Sequence, residues 1–174
     1  MTPLKPGDII LTHAPNAWLG RAILIGQSLG TGAPALWGHA MRYIGDGQVI
    51  SQDWHVDQLP LTNWKGQTIR AWSSPAYDEG QRKLLVDNAR WTLGRGYDWL
   101  GLLGQAFRAV PVVGKWLSDE IQIPWLSYCS EGICQQERGV NPVFMGGGPC
   151  QVSPQDIDTW CSQQGWNHHD LSIT

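Results

Sequence analysis

The sequence has few charged residues, and their distribution shows no pattern. Lys, Arg, Asp and Glu make up 16% of the 174 residues, and the formal net charge is −3. A typical soluble domain carries about 25% charged residues. The twelve basic and fifteen acidic side chains are scattered, without a basic stripe or an acidic tail. This distribution argues against a nucleic-acid-binding protein and against a disordered acidic segment.

Long hydrophobic runs are also missing. No stretch approaches the roughly 18 apolar residues of a membrane-spanning helix. The start, MTPLKPGDII, lacks the basic stretch and apolar run of a secretory signal. We therefore expect a single domain over residues 1–174, synthesised in the cytoplasm, with no membrane-spanning segment. If its target lies across a membrane, a phage particle or a secretion apparatus has to deliver it to the cell envelope.

The cysteines do not follow a metal-binding or disulfide-rich pattern. No C-x-x-C pair occurs, and WNHHD near the end lacks partners at zinc-finger spacing. In a chain of this size without a leader, four cysteines do not indicate a disulfide framework. We expect neither a metal nor a cofactor. The four cysteines are Cys129, Cys134, Cys150 and Cys161.

Tryptophan, in contrast, is abundant, with eleven residues. Its ring combines a large apolar surface with one N–H donor, which suits both a hydrophobic core and a wet cleft. We interpret most of these residues as core. A cleft for sugar-like or lipid-like ligands is the alternative.

Local patterns predict strands mainly in the first half of the chain. KPGDIILTH indicates a turn and a strand, WGHAMRYIGDGQVISQ a hairpin around Gly-Asp-Gly, and QTIRAWSS a further strand. Helices are predicted for NAWLGRAILIGQSLG, SPAYDEGQRKLLVDNARWTLG, YDWLGLLGQAFRAV, YCSEGICQQERG and SPQDIDTWCSQQG. In the last of these, Ser153 is a candidate N-cap and Pro154 the first helical residue. This order favours the α+β class.

Cys129 is the best candidate for a reactive thiol. It falls at the predicted start of its helix, where unpaired N–H groups and the helix dipole favour a thiolate. Cys134 lies about 500° further around the helix and points elsewhere, beside Ile133. The alternative is that Cys129 is a small buried hydrophobic residue.

A thiol nucleophile needs a base, usually histidine, and a group that orients this base. His39 opens the hairpin strand HAMRYIG, where the backbone could hold its ring. A partly buried structural histidine is the alternative. Of the other four histidines, His13 follows the first predicted strand and His55 lies in an expected loop. His168 and His169 lie in an expected polar tail.

Four motifs resemble a known family. KPGDIIL, WGHAMRYIGDGQVIS, LGRGYDWLGLLG and YCSEGICQ occur in the order typical of the circularly permuted, YiiX-like branch of the NlpC-type papain-like cysteine hydrolases. The resemblance covers roughly residues 5 to 138 and is carried by these short motifs. His39 precedes Cys129, as the permuted order requires. The resemblance implies a papain-like core with a small antiparallel sheet or partial barrel packed against a helical half. It also implies Cys129 as nucleophile and His39 as base.

The orienting group departs from that pattern. In such families a polar side chain about twelve residues beyond the histidine, often an acid or a histidine, orients the ring. Here that position is Ser51, and its neighbour is Gln52. A three-residue Gly-Asp-Gly loop would place Met41 opposite Ser51, whereas a two-residue turn would place it opposite Gln52. Both residues stay candidates, with Asp53 and His55 as outside possibilities. The backbone N–H of Cys129 is a natural donor to an oxyanion.

Three functions fit these residues. The first is a cysteine amidase or endopeptidase that cleaves peptides of bacterial cell-wall peptidoglycan. The second keeps the Cys-His pair but acts on acyl lipids, as the related lecithin–retinol acyltransferase branch does. The third is a non-catalytic binding module, which the neutral orienting group favours.

Overall fold

The computed structural model describes residues 3–13, 28, 34–52, 55–96, 129–147 and 152–173. Apart from Ser28, the predicted helix at 16–30 lies outside these residues, as does the one at 97–110. The same holds for Asp53 and Cys150.

A six-stranded antiparallel sheet forms the centre of the described structure, in the order β4-β3-β2-β1-β5-β6. Its last strand comes from the carboxyl end of the chain and pairs with β5 at the edge of the sheet. The expectation that strands occupy the first half was therefore incomplete. The strands are β1 (Ile9–Thr12), β2 (His39–Gly45), β3 (Gln48–Gln52), β4 (Val56–Pro60), β5 (Ile69–Ser73) and β6 (Asn167–Leu171).

Three predicted helices are confirmed: α1 (Glu79–Trp91), α2 (Cys129–Arg138) and α3 (Pro154–Gln163). Asp78 caps α1 in a capping box with Gln81, so this helix begins after Asp78. Ser153 caps α3, and Pro154 is its first residue, as predicted. Short 3₁₀ helices cover Leu61–Trp64 and Phe144–Gly147.

The two faces of the sheet are buried by different elements. On the helix face, Ile9, Leu11, Ala40 and Trp72 form a core cluster with residues of α2 and α3. Further along this face, Ile44 and Ile50 pack with Val86 and Ala89 of α1. On the opposite face, Leu61 and Trp64 of the first 3₁₀ helix cover a second cluster, which includes Ile10, Met41, Val49 and Ala71. Successive strand residues alternate between these faces, as the pleat requires.

The structure supports the core interpretation for several tryptophans. Among the described residues, four are buried: Trp37, Trp64, Trp72 and Trp166. Trp91 is an exception, because 75% of it is exposed. Within the described part of the chain, no helix is long and apolar enough to cross a membrane.

Candidate active site

The β2–β3 hairpin combines the two loop geometries expected from the sequence. Asp46 and Gly47 form a two-residue turn, because Gly45 pairs with Gln48. Asp46 and Gly47 have φ values of 50° and 70°, as a type I′ turn requires. A β-bulge between Tyr43 and Gly45 then shifts the register by one residue.

This bulge decides which residue faces the start of β2. Beyond it, Arg42 pairs with Ile50. Extending the ladder by one pair places Met41 opposite Ser51. Turn length alone would have placed Gln52 opposite Met41. The extra residue of the bulge in β2 shifts the register by one, so Ser51 takes that position instead.

His39 and Ser51 are in direct contact. The Nε2 atom of His39 lies 2.9 Å from Ser51 Oγ, and both residues are buried, with 5% and 1% of their surface exposed. The indole of Trp64 stacks on the imidazole, with ring centroids 6.3 Å apart and an interplanar angle of 13°. The ring is thus fixed from two sides, by a hydroxyl on β3 and by an aromatic side chain of the 3₁₀ helix.

Gln52 occupies a different place. It follows Ser51 in β3, so alternation directs it to the helix face, the face on which Ile50 packs. The structure therefore brings Ser51 to the His39 ring and places Gln52 on the other side of the strand. His55 was expected in a loop. It is exposed, and its backbone forms an isolated β-bridge with Gly96.

Cys129 is the first residue of α2, as predicted. It is a free cysteine, and 5% of its surface is exposed. Cys134 is buried, as its position on the helix predicts, and it is disulfide-bonded, which the cysteine pattern did not indicate. Cys161 is also free, but it lies inside α3, and burial together with the charges of Glu137 and Asp158 raises the pKa of its thiol.

A buried ion pair fixes the direction of α2 relative to β2. Arg42 Nη1 donates to Glu137 Oε1 at 2.6 Å, and Arg42 Nε donates to Gln136 Oε1 at 3.1 Å. Ala40, two residues earlier in β2, shares a core cluster with Ile133 of α2. The helix therefore runs in the same direction as β2, and its beginning lies toward the beginning of the strand.

Residue spacing places Cys129 and His39 at the same end of this unit. Gln136 is seven residue steps after Cys129 in the helix, a rise of about 10 Å. Arg42 is three residue steps after His39 in the strand, also about 10 Å. Alternation directs His39 toward the opposite face, so its ring can approach the thiol only around the start of β2. No hydrogen bond joins Cys129 to His39 within the described structure.

The buried network around Arg42 was missed by the sequence interpretation. Both side chains of the Arg42–Glu137 pair are 0% exposed. Arg42 also donates to the Gly7 carbonyl oxygen, and Tyr77 donates to Glu137 Oε2, each at 2.6 Å. Burial, followed by the charge of Glu137, raises the pKa of Tyr77. One signal was present in the sequence: Arg42 stands between Ala40 and Ile44 at an inward position of a strand.

The described residues contain no group of three or more His, Cys, Asp or Glu that could hold a metal ion. The side chains that the described site brings near one another are a thiol, an imidazole and a hydroxyl.

Comparisons with known proteins support the fold. No protein-family model and no curated protein matches the chain. A solved structure, the metalloprotein YiiX from Escherichia coli O157:H7 (DUF1105), is similar with a TM-score of 0.62 and 15% identity. The match covers 98% of this chain and 97% of that chain. The fold is similar to that of YiiX. At this identity the likeness concerns the fold alone.

Proposed function

We propose that this protein is a cysteine hydrolase in which Cys129 is the nucleophile and His39 the general base. The observation that carries the proposal is the contact of His39 with Ser51 beneath Trp64, because it holds an imidazole in one orientation on the strand beside the cysteine helix. A purely structural histidine would also be satisfied by such a contact. The addition of a free cysteine at a helix start favours catalysis.

Acyl transfer gives a role to both Cys129 and His39. His39 takes the proton of the Cys129 thiol, and the sulfur forms a bond to a substrate carbonyl carbon. The oxyanion accepts a hydrogen bond from the Cys129 backbone N–H at the helix start. His39 then gives the proton to the leaving amine as the carbon–nitrogen bond breaks. Water hydrolyses the thioester and regenerates the thiol.

Ser51 is the orienting group in this mechanism. It accepts a hydrogen bond from the His39 Nε2–H, so proton exchange with the thiol uses Nδ1. A neutral hydroxyl stabilises the imidazolium less than a carboxylate would. We therefore expect slow turnover. Hydrogen bonds between nucleophile and base often tighten only when substrate binds.

The substrate class we propose is a peptide amide of bacterial peptidoglycan. It follows from the resemblance to the permuted NlpC-type hydrolases, with which the likeness to the YiiX fold is compatible. An acyl-lipid substrate would need an apolar cleft. The segments expected to form one, in 18–26 and 107–117, lie outside the described residues.

The test combines two substrates with matched cysteine variants. The intact chain and its Cys129→Ser, Cys161→Ser and His39→Ala variants are incubated with purified peptidoglycan and with phospholipid vesicles. We expect free amines from peptidoglycan with the wild type and with Cys161→Ser, and none with the other two.

Thiol reactivity provides an independent readout. With a mild alkylating agent at neutral pH, Cys129 should react much faster than Cys161, and His39→Ala should slow this reaction. Free fatty acid without released amines would assign the same machinery to lipids instead. Equal, slow alkylation of both thiols and no product from either substrate would refute the hydrolase proposal.

A further inference from the structure

A cavity lies where β5 ends and β6 begins. Its volume is about 520 Å³, within the range of roughly 300–1,000 Å³ that small-molecule sites occupy. We call it the β5–β6 pocket. The lining residues on which the inference rests are Lys5, Ser74, Arg82, Trp166, His168 and His169.

The β5–β6 pocket is separate from the His39–Ser51 contact. Strand β1 lies between the two sites and contacts the strands of both. Its Thr12 pairs with His39, and its Ile9 pairs with Trp72 near the end of β5. The three residue steps from Ile9 to Thr12 span about 10 Å along the strand. The pocket thus opens at the other end of the sheet, and its occupant need not be the group that Cys129 attacks.

Arg82 forms a rigid wall of the pocket. Its guanidinium donates to Asp8 Oδ1 at 2.9 Å, to Ser73 Oγ at 3.0 Å and to the Ser74 carbonyl oxygen at 2.8 Å. Asp8 is buried, with 1% of its side chain exposed, and offsets the charge of Arg82. Arg82 therefore shapes the pocket and leaves the recognition of a ligand charge to other residues.

Two polar groups of the pocket lack a partner among the described residues. None of its described lining residues is acidic, although the whole chain carries a net charge of −3. Within the described structure, the Lys5 ammonium has no ion-pair partner, and the buried His169 Nε2 has no hydrogen-bond partner. The nearby Asp170 carboxylate is held by Arg70, at 2.8 and 3.2 Å.

Aromatic contacts hold the far side of the pocket. Trp166 meets Tyr77 edge to face, with centroids 5.5 Å apart and an interplanar angle of 77°. His168 packs on Trp72 at 4.8 Å and is itself exposed. Its imidazole is therefore held in place while it remains accessible to a ligand. Cationic and N–H donors on a preformed wall are the arrangement that binds charged oxygen acceptors.

We infer that the β5–β6 pocket binds a small anionic oxygen group, a carboxylate or a phosphate, with Lys5 and His168 as its principal contacts. This inference concerns binding alone and does not depend on the hydrolase proposal. Removing one charge-assisted hydrogen bond costs about 1.5–3 kcal/mol, so loss of the Lys5 ammonium should weaken binding at least about tenfold.

Isothermal titration of the intact chain tests the inference, with inorganic phosphate, acetate and neutral methyl glucoside as probes at constant ionic strength. We expect saturable binding of at least one anion, weakened about tenfold or more by Lys5→Met and also weakened by His168→Gln. Lys65→Met is the matched control, because Lys65 is exposed beside the other face of the sheet. It removes the same charge and should leave the affinity unchanged.

Each outcome decides a point. Binding of phosphate alone assigns a phosphate group, and binding of acetate alone assigns a carboxylate. Three results would overturn the inference: no binding of either anion, an equal loss with Lys5→Met and Lys65→Met, or methyl glucoside binding as tightly as the anions. Thermal unfolding of each variant confirms that the compared chains are folded, and both lysines are exposed enough for this to be expected.

Discussion

Substituting Glu137 by Gln should destabilise the protein more than any surface change of the same kind. The carboxylate is fully buried and accepts from Arg42 Nη1 and from the Tyr77 hydroxyl, each at 2.6 Å. Gln keeps the shape and one acceptor oxygen but removes the charge. Arg42, which is also 0% exposed, would then be a buried cation without its counterion.

The size of the expected loss of stability follows from the burial of both Arg42 and Glu137. Breaking a buried ion pair by removing one charge costs about 3–5 kcal/mol, whereas an exposed pair contributes about 0–1 kcal/mol. For a chain of this length each kcal/mol lowers the Tm by about 2–4 °C, so Glu137→Gln should lower it by about 6–20 °C. Urea denaturation at pH 7, with the m-value compared between variants, measures the free energy of unfolding directly.

Two further variants make the reasoning refutable. Glu79→Gln changes an exposed carboxylate in α1 and should cost about 0.5 kcal/mol or less. The double variant Arg42→Met/Glu137→Leu replaces the pair by apolar groups and should recover most of the loss. If Glu137→Gln costs no more than Glu79→Gln, or if the double variant is as unstable as the single one, the pair does not anchor α2 to β2 as we argue.

Three other predictions follow from single contacts. Ser51→Ala should slow peptidoglycan hydrolysis about fivefold, since the His39 ring loses a hydrogen bond of about 1 kcal/mol, while Ser162→Ala on the surface should not; equal rates would exclude Ser51 as the orienting group. Because the pKa of Tyr77 is raised in the folded protein, this phenol ionises at lower pH in the unfolded chain than in the folded one. The Tm advantage of the wild type over Tyr77→Phe should therefore be complete below about pH 10 and shrink above it; a constant difference would contradict this. Gly47→Ala should cost about 1–2 kcal/mol in urea denaturation, because φ is 70° and nothing lies within 4 Å of the added carbon; an unchanged midpoint would show that the turn tolerates the residue.

The sequence by itself determined the features that depend on neighbouring residues. The position of the hairpin at Gly45-Asp46-Gly47 is encoded locally, because Gly and Asp tolerate positive φ, whereas the choice between a three-residue loop and a two-residue turn was left open. The start of α3 is likewise encoded by Ser153 and Pro154. Each of these features needs only the side chains and backbone of a few consecutive residues, so local patterns suffice to predict it.

The candidate site was predicted in part. His39 at the start of a strand and Cys129 at the start of a helix followed from local patterns, and both positions are confirmed. The choice between Ser51 and Gln52 could not be made, because it depends on a bulge inside β2 that packing of the two faces selects. Whether the thiol and the imidazole meet in a catalytic pair stays a prediction.

Only the tertiary structure decided the long-range pairings. Strand β6 pairs with β5 across about a hundred residues, and this pairing moves His168 and His169 from an expected tail to the wall of a pocket. Arg42 and Glu137 are 95 residues apart in the chain. No local propensity favours such partners, because their free energy arises only when the sheet and helices exclude water around them.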